Sequence, residues 1–149
     1  MVGVVTPPKR TSAPRAYARP VSQAYTVTNL REVEDAAARH GFSEMQESRF
    51  PQRDLDARET GLSLHALRPG KRQPFAHRHR EAEEVYVVLS GSGRVKLDDD
   101  VVEVGGMDAI RVSPETTRAF EAGPEGLEFL AFGPHRSGDA EMVHDFWGD

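Results

Sequence analysis

The chain has 149 residues, 24 of them acidic and 19 basic, and it contains no cysteine. This length is typical of a single domain, and the lack of cysteine excludes a disulfide framework and a thiol nucleophile. The net charge of −5 argues against nucleic acid as the main partner. The sequence has neither an apolar run of about 18 residues nor the apolar core of a secretory signal, so we expect no membrane span and a cytoplasmic location.

The amino-terminal stretch differs from the rest of the chain in charge. It is rich in proline, serine and threonine and has no acidic residue before position 30. Its basic residues are Lys9, Arg10, Arg15 and Arg19. Four dispersed charges are a weak signal for nucleic-acid binding, whereas the composition is typical of a solvated extension. We therefore assign residues 1–28 to a flexible basic tail and residues 29–149 to one folded domain.

A short helix is predicted at the start of this domain. Asn29 is a favourable N-cap, Glu32 completes a capping box, and Gly41 is a C-terminal stop. The apolar residues at helical spacing are Leu30, Val33 and Ala37. Because this apolar stripe is narrow, we expect the helix to pack on the outside of the main fold.

Beyond residue 45 the apolar period changes to that of β-strands. The predicted strands span residues 62–67, 75–79, 85–89, 94–97, 101–104, 109–112, 117–121 and 127–132. Residues 90–93 and 98–100 favour turns between them. Many short strands with regular turns predict an all-β sandwich or barrel. Near the end of the chain, Phe146 and Trp147 are expected to dock on this barrel or on a second subunit, since burying each is worth about 2–3 kcal/mol.

Three residues form the candidate site for chemistry. His77 and His79 are two apart on a predicted strand, so both side chains point to the same face. Glu84 begins the next apolar strand and can aim its carboxylate at the same point. Two imidazoles and one carboxylate suit a divalent transition metal, either iron, manganese, nickel, copper or zinc, with positions left open for water or substrate.

This segment resembles the first conserved motif of the cupin family. The motif contains a glycine, a His-x-His, a glutamate and a second glycine, and here these are Gly70, His77, His79, Glu84 and Gly91. The interval between the first glycine and the first histidine is one residue longer than usual. The resemblance covers about residues 61–133. It implies a single double-stranded β-helix, or jelly-roll, barrel.

The second cupin motif is matched less closely. Asp108 and Pro114 fit it, but the glycine after the proline is absent. Arg118 stands near the position where the resemblance implies a fourth ligand, a histidine. A guanidinium 4 Å from an ion repels it by about 4 kcal/mol for each unit of ion charge at an effective dielectric constant of about 20. Three ligands and water are nevertheless enough for an open metal site.

Two functional hypotheses follow. In the first, the chain is a small metal-binding cupin, and the metal acts on a small polar molecule in the manner of a dioxygenase or an isomerase. Arg118 and Tyr86 would orient that molecule. In the alternative, Arg118 pairs with Glu84 in place of the metal and the barrel binds a small anion without metal. A vestigial site is a third interpretation, and for Tyr86 the simpler one is a packed aromatic residue.

The remaining candidates are interpreted as structural. His65 lies on an earlier strand and is expected to be a satisfied structural histidine. His135 and His144 are expected to face solvent. Glu83 is the rival ligand if the strand register is shifted by one residue. Exposed barrel edges and the terminal aromatics predict a homodimer.

Overall fold

The computed structural model describes residues 24–148 of the chain. Most of the predicted basic tail, residues 1–23, therefore lies outside the described residues. The elements are a 3-10 turn (Leu30–Glu32), α1 (Ala36–Arg39), β1 (Gln46–Arg49), β2 (Thr60–Leu67), β3 (Ala76–His79), β4 (Glu84–Leu97), β5 (Asp100–Gly105), β6 (Ala109–Val112), β7 (Arg118–Pro134) and β8 (Ala140–Val143). No helix among these residues is long and apolar enough to cross a membrane.

The strands form one curled antiparallel sheet. Along it β1 pairs with β2, β2 with β7, β7 with β3, and β3 with β8, while β4 pairs with β5, β6 and β7. Strands β4 and β7 are the longest and pair with each other along most of their length, with register shifts in the middle. This arrangement confirms the predicted all-β fold of the double-stranded β-helix type.

Two of the predicted strand breaks are wrong, because residues 90–93 lie within β4 and residues 122–126 lie within β7. Residues 90–93 do not end a strand but lie within β4, where its pairing with β7 shifts register twice. Gly91 permits this bend because its φ of 77° is unfavourable for other residues. A Cβ atom at Gly91 would also lie 2.1 Å from the carbonyl oxygen of Gly126, so the two strands approach too closely for a side chain here. The sheet thus continues through a bulge where local composition predicts a turn.

The predicted amino-terminal helix is also different in form. Asn29 does act as a cap, since its side chain accepts a hydrogen bond from the backbone N–H of Arg31, but it caps only the 3-10 turn. The chain is then extended at Val33, and Asp35 caps the short helix α1. Asp35 also accepts from the backbone N–H of Ser48 on β1. A tertiary contact therefore sets the start of α1.

The barrel interior is apolar at its centre and polar along one wall. Tyr86, Phe120 and Phe129 form an aromatic cluster, with the rings of Phe120 and Phe129 stacked 4.2 Å apart. Beside Phe129, β1 and β2 contribute the buried Ser48 and Ser63 together with the polar ring of His65.

The end of the chain packs against the barrel, one of the two outcomes expected from its aromatic residues. Lys96 on β4 donates a hydrogen bond to the carbonyl oxygen of Phe146 at 2.7 Å and lies over its ring. The guanidinium of Arg72 stands 4.5 Å from the ring centroid of Trp147. Cation–π contacts of this kind stabilise an exposed terminus by about 0.5–1 kcal/mol each.

Candidate metal centre

The three predicted ligands come from two neighbouring segments of the barrel. His77 and His79 lie on β3, and strand alternation sends both imidazoles to the same side. Glu84 is the first residue of β4, immediately after the loop that leaves β3. One potential ligand atom from each residue lies within 4.8 Å of the other two, so the structure brings all three together.

The spacing of these atoms is compatible with a shared ion. Oε2 of Glu84 lies 3.2 Å from Nε2 of His77 and 3.3 Å from Nε2 of His79. Two atoms that each lie about 2.1 Å from one ion are about 3.0 Å apart at a right angle and about 3.4 Å apart at the tetrahedral angle. The side chains of the trio are 14–24% exposed, so the group is open to solvent on one side.

His79 has the hydrogen-bonding pattern of a metal ligand. Its Nδ1 lies 3.2 Å from Oδ2 of Asp139. Its Nε2 is buried and faces Oε2 of Glu84 at 3.3 Å, without a well-formed hydrogen bond to any described residue. A ligating histidine commonly presents one nitrogen to the ion and donates the other to a carboxylate. The donor set therefore fits a divalent transition metal.

Glu84 is surrounded by hydrogen-bond donors. Its Oε2 accepts from the hydroxyl of Tyr86 and, at 3.0 Å, from Nη2 of Arg118, in addition to its contacts with the two histidines. Burial acts to raise the pKa of Glu84, but the histidines and Tyr86 together outweigh it and hold this pKa well below its ordinary range. Glu84 is therefore a carboxylate at neutral pH, the form that binds metal.

Arg118 and Tyr86 reach the site through Glu84. Arg118 is fully buried, and its guanidinium also donates to the Tyr86 hydroxyl and to the backbone oxygens of Pro114 and Thr116. Burial and the charge of Glu84 raise the pKa of Tyr86, so its hydroxyl stays protonated. Both side chains are thus held in the wall behind Glu84.

The rival ligand Glu83 lies outside the site. It is 54% exposed and forms an ion pair with Arg111 at 3.1 Å. His65 has both ring nitrogens within hydrogen-bonding distance of serine hydroxyls, as expected of a structural histidine. His135 and His144 are exposed, as predicted.

Asp139 is the site residue that sequence reasoning missed. It precedes β8 and is only 7% exposed. Its carboxylate accepts hydrogen bonds from the backbone N–H groups of Glu81 and Ala82, each at 3.0 Å, as well as contacting His79. No motif marks it, because it lies 60 residues from His79 in the sequence. A separate surface cleft of about 410 Å³ is lined by Phe75, Trp147 and their neighbours and includes none of these groups.

Comparison with known proteins agrees with this architecture. Residues 63–133 match the family model described as a cupin domain. An uncharacterized protein of Methanocaldococcus jannaschii is 31% identical in an alignment of 81 positions, which covers 52% of this chain and 65%, or just under two thirds, of that protein.

Solved structures show the same fold at lower identity. The polyketide cyclase RemF from Streptomyces resistomycificus is similar with a TM-score of 0.65 and 24% identity, over 81% of this chain and 85% of that one. A cupin protein from Bacteroides fragilis has a TM-score of 0.63 and 21% identity, over 78% of this chain and 89% of that one. The family match over residues 63–133 and the double-stranded β-helix fold of these neighbours support the assignment of this chain as a small cupin-superfamily protein.

Proposed function

We propose that this chain is a metal-binding cupin that holds one divalent transition metal through His77, His79 and Glu84. The observation that carries the proposal is the convergence of three ligand atoms: Nε2 of His77 and Nε2 of His79 lie 3.2 and 3.3 Å from Oε2 of Glu84, while Asp139 contacts the other ring nitrogen of His79. Iron, manganese, nickel, copper and zinc all suit two imidazoles and a carboxylate, and the ligand set does not select among them.

The charges around the site favour a small anionic molecule as the ligand that completes it. Arg118 and Glu84 form an ion pair whose charges cancel. A divalent ion therefore adds positive charge that Asp139 reduces but does not neutralise. Because charge in a partly buried site is costly without compensation, a carboxylate or an enolate is favoured over a neutral molecule.

The activity we propose is that of a metal-dependent enzyme on such a molecule, with a dioxygenase or an isomerase as the candidate classes. A bound metal would supply Lewis acidity and a template for substrate. Tyr86 and Arg118 would fix the carboxylate of Glu84, and through it the orientation of the site. The similarity to a polyketide cyclase is consistent with an enzyme, but at this identity it supports the fold alone.

A second candidate function is favoured by one specific contact. The fully buried Arg118 already pairs with Glu84 at 3.0 Å, as expected if an arginine replaces the metal. In that case the barrel binds a small anion without metal, and the two histidines supply the positive or hydrogen-bonding groups. Stabilisation by small carboxylates in the presence of a chelator is the expected signature.

Metal content separates the two functions. Elemental mass spectrometry of tag-free protein is expected to find about one equivalent of one transition metal in the native sequence and none in His77→Ala. His144→Ala, which removes an exposed histidine, is the matched control and should keep the metal. If the native protein takes up none of iron, manganese, nickel or zinc, the metal-free function replaces the first.

We further propose a cytoplasmic homodimer with a small-molecule ligand and without nucleic acid or membrane partners. The support for a dimer is the strand β5, which among residues 24–148 pairs with β4 alone and exposes Val101 and Val102 on its surface. An open edge with apolar residues is a common site of self-association.

A further inference from the structure

We infer that Asp139 is a positioning residue that orients His79 for metal binding and fixes the loop between His79 and Glu84. The inference rests on the proposed metal function and adds a residue that no metal-ligand motif contains. It is carried by the contacts of one buried carboxylate with both a ligand side chain and the backbone beside it.

The first set of contacts fixes the imidazole. The carboxylate of Asp139 accepts only, so its contact with Nδ1 of His79 at 3.2 Å favours a proton on that nitrogen. In the neutral ring the lone pair is then on Nε2, the atom that faces Glu84 and the point shared by the trio. Asp139 thus selects the tautomer that presents Nε2 to an ion.

The second set of contacts fixes the backbone. Oδ1 of Asp139 accepts from the N–H of Glu81, and Oδ2 accepts from the N–H of Ala82. The carbonyl oxygen of Asp139 accepts from the N–H of Arg80 at 3.1 Å. Three successive backbone N–H groups between His79 and Glu84 are therefore tied to one residue, which sets where β4 begins.

Strand β8 positions this residue. It pairs with β3 along four residues, with His79 opposite Ala140, the neighbour of Asp139. The same strand carries Glu141, which bridges Arg78 and Arg80 on the exposed side. Glu141 therefore provides a matched control, because it contributes to the same strand pairing without touching the trio.

The test compares Asp139→Asn with Glu141→Gln by titrating metal-free protein with Mn²⁺ or Zn²⁺. We expect Asp139→Asn to weaken binding by about 10- to 100-fold and Glu141→Gln to leave it unchanged. Equal affinity in the native protein and Asp139→Asn would overturn this inference while leaving the proposed function intact. No binding by the native protein would overturn both.

A spectroscopic measurement on the native sequence does not depend on any variant folding. Nitrogen-15 NMR of the Zn²⁺-loaded protein is expected to show the His79 proton on Nδ1, the nitrogen that contacts Asp139. Asp139→Asn should shift this signal toward the mixed pattern of an exposed histidine such as His135, while Glu141→Gln should not. A His79 proton on Nε2 in the loaded native protein, with Nδ1 bound to the ion, would overturn the inference.

Discussion

His79 and His65 both lie on strands of the same barrel, yet their surroundings differ in one decisive respect. His65 is satisfied at both nitrogens: Nδ1 lies 3.1 Å from the hydroxyl of Ser48, and Nε2 lies 2.9 Å from that of Ser63. His79 instead contacts a carboxylate at each nitrogen: Nδ1 lies 3.2 Å from Oδ2 of Asp139, and Nε2 faces Oε2 of Glu84 at 3.3 Å. The first arrangement suits a structural histidine and the second a ligand.

The two regions also differ in charge. The trio lies beside Arg118 and Asp139, whereas His65 is surrounded by hydroxyls and by the ring of Phe129, whose centroid is 5.1 Å away. Hydroxyls can donate or accept, so they satisfy a neutral imidazole in either tautomer. These two histidines are therefore distinguished by the group that contacts their second ring nitrogen, and not by their position on a strand.

The largest expected effect on stability comes from removing the positive charge of Arg118 beside Glu84. In the presence of a chelator, Arg118→Met is expected to lower the free energy of unfolding by about 3 kcal/mol, because Glu84 loses its buried partner. Arg111→Met removes the exposed partner of Glu83 and should cost less than about 1 kcal/mol. Urea unfolding at pH 7 measures both.

The same urea unfolding of Arg118→Met at a saturating concentration of a divalent metal provides a second test. The ion would take over the charge of the missing guanidinium, so the deficit of Arg118→Met should shrink when metal is added. An Arg118→Met protein as stable as Arg111→Met in chelator would contradict the view that this ion pair compensates Glu84.

A smaller change in the free energy of unfolding is expected from the pH dependence of His65. Burial, followed by the effect of His77, lowers the pKa of His65 from 6.5 to about 4, and Glu84 opposes this shift. Between these values the unfolded chain binds a proton that the folded chain does not, so the free energy of unfolding falls as the pH drops from about 6.5 to about 4. The contribution of this one histidine is about 2–3 kcal/mol.

Unfolding in chelator across this pH range isolates the contribution. His65→Gln is expected to lose less stability on acidification than the native protein, while His135→Gln, at an exposed site, should follow the native curve. Parallel curves for the native protein and His65→Gln would show that His65 is not held neutral.

The site could be predicted from the sequence where its residues are close together. Strand alternation alone places His77 and His79 on one face, and Glu84 follows within a short loop. Asp139 could not be predicted, because only the pairing of β8 with β3 brings it to His79. Local patterns carry no information about a partner that is distant in the chain.

The fold class could be predicted from the sequence, but the places where strands bend and helices begin could not. The composition of residues 90–93 is typical of both a turn and a β-bulge. Only the pairing of this segment with β7 decides between the two. The start of α1 depends likewise on a contact between Asp35 and β1. Strand continuity and helix boundaries were therefore decided by tertiary contacts.

The central claim is tested most directly by titrating tag-free, chelator-treated protein with Co²⁺ and comparing the native sequence with His79→Gln and His65→Gln. The account predicts one equivalent bound by the native protein and by His65→Gln, and at least about 100-fold weaker binding by His79→Gln. Binding that survives in His79→Gln, or that is lost equally in both variants, would contradict it.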